Sequence, residues 1–323
     1  MLDPFWFFEN FGEIKRSLSA TMVILSMLGM GATLTVRDFA NTLFAWRGLA
    51  VGMATQLVLV PVWAALVLVL GLFPAGFGGM TAAGAVGIAT GLALIAAMPG
   101  GSVSNLLTFI GSGNVTLSVS LTAITTFIWL IATPVVLASL VTVQLPGTFD
   151  IDKSQIMLDI GLFLIAPLLV GMIVRAHTTL PQQMFFIKFM VRASLCLLAL
   201  IIIGSLGAER LQFGPYGWLG PAVIIMFCLG AVYLTRLFAY MCGTVDRDSF
   251  AIFIEVAVKN GLLALLVVTS MFPAHLLAPG ADGQMIAAAR DGCIFIVLFF
   301  SGVALVIGIL SALRRRRTSA SPS

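Results

Sequence analysis

The stretch EVAVKNG, Glu255 to Gly261, lies inside an apolar segment, with Phe250–Ile254 before it and Leu262–Val268 after it. A carboxylate, an ammonium, an amide and a glycine fall within seven residues there. A carboxylate at membrane depth costs about 3 kcal/mol on insertion scales, so such groups are rare and line pathways or pair with one another. The bland account is a structural ion pair, because residues i and i+4 meet on a helix and Lys259 stands four after Glu255. Asn260-Gly261 weakens the helix at the same place.

The rest of the chain sets the surroundings. It is 323 residues long, 60% hydrophobic and 9% charged, against about a quarter charged in a soluble domain. No Asp, Glu, Lys, Arg or His occurs from Gly48 to Phe149. This composition reads as an all-α polytopic membrane protein with about nine helical spans. They are expected near 17–35, 48–71, 80–111, 114–142, 155–174, 185–206, 217–240, 248–272 and 287–312. The apolar runs are too long for barrel strands of ~10 residues. With two histidines and no CxxC spacing, neither a histidine-rich metal site nor a disulfide framework is expected, and the four cysteines read as small buried residues. No basic face interleaves with aromatics, so nucleic acid is not an expected partner. The partners are a lipid bilayer and a small molecule.

An odd number of spans puts the termini on opposite sides. With the C-terminus inside, Arg37, Arg47, Arg175, Lys188, Arg192, Arg236, Arg247 and Arg314 to Arg317 face the cytoplasm. Lys15, Arg16, Lys153, Arg210 and Arg290 then lie outside. That bias predicts a multi-pass cell (inner) membrane protein with its N-terminus out and C-terminus in. FWFF at 5–8 reads as part of an interfacial segment over 1–16. The tail RRRRTSASPS, within 313–323, reads as a disordered cytoplasmic end and topology anchor. Anionic-lipid binding is its lesser alternative.

A second interruption lies in the third span, AAMPGGSVSN, Ala96 to Asn105. Pro99 removes a backbone donor and Gly100-Gly101 loosen the helix. Each break taken singly reads as a Pro kink or a close helix packing. Together they sit in the span before the last of each half of the chain, 17–145 and 146–312, in helices that cross in opposite directions. That pattern predicts an inverted repeat with breaks at 98–104 and 255–261. The breaks would place half-helix N-termini and freed carbonyls at mid-membrane, as in a secondary transporter. The next span reads GNVTLSVSLTAITT, in which Asn114, Ser118, Thr122 and Thr125 share a helical face. Hydroxyls of this kind often bond back to their own helix. Here they can instead face Ser104 and Asn105, and with Glu255 they form an oxygen set suited to a hard monovalent cation.

These residues resemble the bile acid:sodium symporter family over nearly the whole chain. GMGATLTVRDF (29–39) is similar to its early signature. PGGSVSN with GNVTLSVSLT is similar to its first-repeat motif, and EVAVKN to its second-repeat Glu-x-x-x-Gln-Asn motif. The resemblance implies a panel and a core domain, two crossing discontinuous helices in the core, and loss of the family's first span. Spans one, five and six would then form the panel. It implies two sodium sites. The first maps onto Ser104, Asn105, Ser118, Thr122 and Glu255. The second maps onto Gln56, Glu255, Val256, Val258 and position 259, where the family's glutamine is replaced by Lys259. An ammonium has no acceptor and cannot be a ligand. Lys259 is therefore expected to act as a tethered cation in the second ion's place, paired with Glu255 and satisfying Gln56. Ser102 and Asn260 are the implied substrate contacts. A His-Asn pair common in the family is replaced by Leu298-Phe299, so the substrate class widens to an organic anion such as a bile acid or a small carboxylate.

Sodium-coupled symport is the leading expectation, with sodium as coupled ion and no organic cofactor. Proton-coupled or sodium-independent transport through the Glu255/Lys259 pair is the alternative. An intramembrane enzyme is a distant third, since no GxSxG, HExxH or mid-span histidine is present. A passive channel or receptor would not need cation ligands joined to a carboxylate.

Overall fold

The structure, a computed structural model, describes residues 11–35, 37, 46–71, 76–141, 152–207, 214–273 and 281–320. Every regular element among them is helical. We number the helices α1 (Phe11–Gly31), α2 (Trp46–Val69), α3 (Ala82–Ala96), α4 (Ser102–Ile110), α5 (Val115–Val141), α6 (Lys153–His177), α7 (Leu180–Gly207), α8 (Leu219–Met241), α9 (Asp246–Ala257), α10 (Gly261–Met271) and α11 (Ala281–Ala320). Six contain a stretch long and apolar enough to cross a bilayer by length and composition: α2, α5, α6, α7, α8 and α11. Three shorter apolar helices, Ser17–Gly31, Ala82–Ala96 and Gly261–Met271, complete the set. The molecule is a polytopic helical membrane protein. The segment at 5–8 and the repeat boundary near 145 lie outside the described residues.

Two groups of helices form the body, matching the expected panel and core. In the first, α1 packs along α6 and α7. Gly31 approaches Leu168 and Gly171 so closely that neither glycine has room for a Cβ, the small-residue crossing that brings helices together in lipid. The carbonyls that α1 exposes at its end are met from its neighbours. Gln183 of α7 donates to Ala32 O at 3.2 Å, and Arg175 of α6 donates to Thr33 O. The second group is built on α3 against α11, with Gly87 and Gly292 in contact at the crossing. Around that pair stand α2, α4, α5, α8, α9 and α10. The groups meet along α10 and α5, which lie against α1 and α6. At that seam Ser270 of α10 donates to the buried carboxylate of Asp159 on α6, and Gln155 Nε2 donates to the same carboxylate at 3.0 Å.

Local chemistry sets the helix ends. Thr81 caps α3 by accepting from Gly84 N at 2.9 Å. Pro99 and the glycine pair end the helix that α3 begins. Asn114 caps α5 by accepting from Leu117 N at 3.1 Å, and its amide donates to Asp248 at 2.7 Å. Asp246 and Asp248 stand in the first turn of α9, where the helix dipole favours a carboxylate.

Three expectations are corrected here. The basic tail is helical through Ala320 rather than disordered: Arg315 bonds Asp246 and lies 4.9 Å from the Phe250 ring centroid, which ties the last turns to α9. Cys228 and Cys293 are buried, but Cys196 on α7 and Cys242 just past the end of α8 are exposed. Asn114 is a helix cap rather than part of an ion-facing stripe, because the α4–α5 turn ends just before it.

Candidate functional site

The two broken helices meet at their breaks. Gly100 and Lys259 form an isolated antiparallel bridge. Gly101 N donates to Val258 O at 2.9 Å, and Asn260 N donates to Pro99 O at 2.9 Å. An unpaired backbone group in hydrocarbon costs several kcal/mol. Each break therefore supplies the partners that the other lacks, and the antiparallel sense follows from two helices running in opposite directions. The carbonyls at the end of α3 are closed in the same manner. Ala97 O accepts from Thr133 Oγ1 of α5 at 2.9 Å, and Met98 O accepts from Lys259 Nζ at 2.9 Å. Asn260 caps α10, its side chain accepting from Leu263 N at 3.0 Å.

Beside the crossing lies an oxygen cluster around Glu255, which is 0% exposed. Ser104 Oγ donates to Glu255 Oε2 at 2.5 Å, and Thr122 Oγ1 donates to Oε1 at 2.5 Å. Ser118 Oγ lies 3.2 Å from Oε2 and 2.9 Å from Asn105 Oδ1. Thr122 Oγ1 is also 3.4 Å from Asn105 Oδ1. The structure thus brings together all five side chains expected at the first cation site. The carboxylate sits against Gly100, where a Cβ would overlap it.

Proton counting shows what the cluster can do. Each hydroxyl carries a single proton, yet Ser104, Ser118 and Thr122 each lie within reach of two or more acceptors. Ser104 can turn its proton to Gly101 O at 2.6 Å, and Thr122 can turn its proton to Ser118 O at 3.0 Å. Both hydroxyls can then offer lone pairs inward. An oxygen-rich, proton-poor, buried cluster with one carboxylate is suited to a small hard cation.

The second expected site is arranged differently. Lys259 is 6% exposed. Its ammonium bonds Met98 O and lies 5.9 Å from the centroid of the buried Trp129 ring, at cation–π distance. It makes no ion pair with Glu255 within 4.0 Å among the described residues. The expected i, i+4 pairing fails because α9 ends at Ala257. Val258, at φ −108° and ψ 82°, has left helical geometry before Lys259 is reached. Gln56 is not satisfied by Lys259 either. It is 0% exposed, and neither its amide nitrogen nor its amide oxygen has a hydrogen-bond partner. It stands in a π-helical turn, Thr55–Leu59. Val60 N reaches back to Thr55 O there, and Pro61 has no N–H to offer the Gln56 carbonyl. Such turns recur at functional sites. Val256 is buried on the last turn of α9, and Val258 O is engaged by Gly101 N.

Other expected residues separate by location. Ser102 opens α4. Thr125 donates back to Leu121 O at 2.7 Å and takes no part in the cluster, a correction to the four-residue stripe. Sequence reasoning missed the Met98 carbonyl, Thr133 and Trp129. Gly100 was visible as a helix breaker, but its closeness to Glu255 required the crossing.

A polytopic fold with two opposed broken helices and an oxygen cluster at their crossing is the architecture of secondary transporters. The sodium bile acid symporter family matches residues 20–213, and this chain belongs to that family. A probable sodium/metabolite cotransporter, BASS1, of the chloroplast in Oryza sativa subsp. japonica is 26% identical over 262 residues, 79% of this chain and 59% of the relative. The corresponding Arabidopsis thaliana protein is 27% identical over 277 residues, 84% of this chain and 63% of the relative. An uncharacterized sodium-dependent transporter of Bacillus subtilis (strain 168), YocS, is 26% identical over 262 residues, 79% of this chain and 74% of the relative. This chain therefore spans less than two thirds of the length of both plant proteins. The family and these relatives are transporters, not enzymes.

Proposed function

We propose that this protein is a secondary active transporter that couples sodium to the movement of an organic anion, such as a bile acid or a small carboxylate. The observation that carries the reading is the oxygen cluster of Ser104, Asn105, Ser118 and Thr122 around Glu255. These residues would hold one sodium ion. The positive ends of α4 and α10 start at the crossing and favour an anion nearby. Ser102 and Asn260, at those starts, are the substrate contacts in this reading. The relatives named as sodium-dependent transporters and sodium/metabolite cotransporters support the choice of ion. The membrane is the cell (inner) membrane, with the N-terminus out and the C-terminus in, and the repeats divide near 145.

In this reading Lys259 supplies a fixed positive charge where the family binds its second sodium. It does so at the Met98 carbonyl, a group of the kind a cation would seek. Transport then needs one sodium per cycle.

The test needs no knowledge of the substrate. A ligand that binds only the folded protein raises its stability by RT ln(1 + [L]/Kd). Purified protein should melt higher in sodium than in potassium at equal ionic strength, and Glu255→Gln should remove the difference. Equal melting in both salts, with stability that follows pH instead, would move the reading to proton coupling. Uptake of a bile acid and of a pantoate-like acid into proteoliposomes under an imposed sodium gradient then separates the substrate classes.

A further inference from the structure

We infer that Arg236 on α8 and Arg314 on α11, beside Arg315, form a binding site for the headgroup of an anionic phospholipid. The site lies in the leaflet that faces the end of α11. Arg236 of α8 lies 4.2 Å from the Phe253 ring centroid, and Arg315 of α11 lies 4.9 Å from that of Phe250. The two rings are neighbours on α9, with centroids 5.7 Å apart. They hold guanidinium groups from two helices side by side. Arg314 and Arg315 are both close enough to Arg236 for their charges to oppose its own. Arg247, Arg316 and Arg317 add positive charge at the same end.

The acidic groups there do not balance this charge. Asp246 is taken by Arg315, and Asp248 accepts from Asn114. The Nε atom of Arg315 is buried without a partner. Arg236 and Arg314 are exposed and make no hydrogen bond or ion pair among the described residues. Like charges gathered this way repel, and a counterion relieves them.

The surface beside the cluster selects a lipid over a soluble anion. Tyr233 and Leu237 on α8 and Leu310 and Leu313 on α11 are exposed. These residues flank the guanidinium groups along two helices that pack together. Acyl chains would lie on that apolar strip while the phosphate meets Arg236 and Arg314. Basic pockets between membrane helices, on the side where positive residues gather, bind acidic lipid in this manner. The inference is independent of the ion-binding reading, since it uses none of the residues at the crossing.

Native mass spectrometry of the full chain, delipidated and then offered phosphatidylglycerol or phosphatidylcholine, tests it. Phosphatidylglycerol should be retained roughly thirtyfold better than phosphatidylcholine, given two contributing arginines near the surface. The double change Arg236→Gln with Arg314→Gln should bring retention to the phosphatidylcholine level. The single charge reversal Arg314→Glu should lower it in the same sense should the double variant fail to fold. Arg316→Gln with Arg317→Gln should retain the lipid. Unchanged retention in the Arg236/Arg314 variants, or an equal loss in the Arg316/Arg317 variant, would overturn the site. Displacement of the lipid by inorganic phosphate would overturn the choice of a lipid ligand.

Discussion

Lys259 places its ammonium on the carbonyl of Met98, 2.9 Å away, at the open end of the opposite broken helix. One side chain thus does two things at the crossing. It closes a carbonyl that Pro99 and the glycines leave without a helical donor, and it fixes a positive charge beside the Trp129 ring. Lys259→Met should leave Met98 O buried and unpaired, at about 1–3 kcal/mol, read as a lower melting temperature. Lys259→Gln keeps a donor for Met98 O and adds a carbonyl oxygen at that position. In proteoliposomes its sodium Hill coefficient should rise toward two, while the natural protein stays near one. A coefficient near two with Lys259 intact would refute the tethered-cation role.

The breaks were legible because Pro99-Gly100-Gly101 and Asn260-Gly261 carry their helix-breaking chemistry in the residue type itself. The polar residues near them were legible too, since Ser104, Asn105, Ser118, Thr122 and Glu255 stand out in an apolar chain. The partner of Lys259 was not. The i, i+4 rule assumes a helix, and the helix ends at Ala257. Gln56 entered only through the family resemblance, and its π turn depends on where Val60 N finds its acceptor. The tail misled for a similar reason. Its composition suits disorder, and its helix depends on Asp246 and Phe250, which are far away in sequence.

Gly100 is expected to be intolerant of any side chain. Its Cα faces the Glu255 carboxylate, so the methyl of Gly100→Ala would push that carboxylate off Ser104 and Thr122. Overpacking costs typically 1–3 kcal/mol. The more telling result is loss of the sodium-dependent rise in melting temperature. If Gly100→Ala keeps that rise, the carboxylate position does not set ion binding.

Asn260 has a structural role that can be separated from the substrate contact proposed for it. Its side chain caps α10 at Leu263 N. Asn260→Ala should cost about 1 kcal/mol through the lost cap, whereas Asn260→Ser keeps a capping oxygen. Uptake lost in Asn260→Ser at unchanged melting temperature would assign a substrate contact. Uptake that follows the melting temperature through both variants would assign the cap alone.

The Asp246–Arg315 pair gives the C-terminal end an acid limit. The hydrogen bond from Arg315 holds the Asp246 carboxyl below the usual carboxylate range, with burial opposing in part. A carboxyl depressed in the folded state contributes stability that is present above its unfolded pKa and is lost as pH falls through the folded value. Natural protein and Asp246→Asn should therefore differ in melting temperature near neutral pH and converge in acid. Asp246 is largely exposed, so the difference is small and should shrink in high salt. A gap that widens in acid would show that another group governs this end.

The seam between the two helix groups carries a polar contact that any relative motion must break. Ser270 of α10 donates to Asp159 of α6, and Gln155 holds the other carboxylate oxygen at 3.0 Å. Because the carboxylate is buried, removing a donor costs more than the bond is worth on balance, about 1–3 kcal/mol. Ser270→Ala should therefore lower the melting temperature measurably, and Asp159→Asn should do the same. If the pair acts as one contact, the double variant should fall short of the sum, with a coupling of roughly 1 kcal/mol by a double-mutant cycle. Simple additivity would mean that the two side chains support the seam separately. A loosened seam should also speed exchange between the helix groups, so uptake per molecule of folded Ser270→Ala should equal or exceed that of the natural protein. A fall in uptake at full folding would instead assign Ser270 to the transport path.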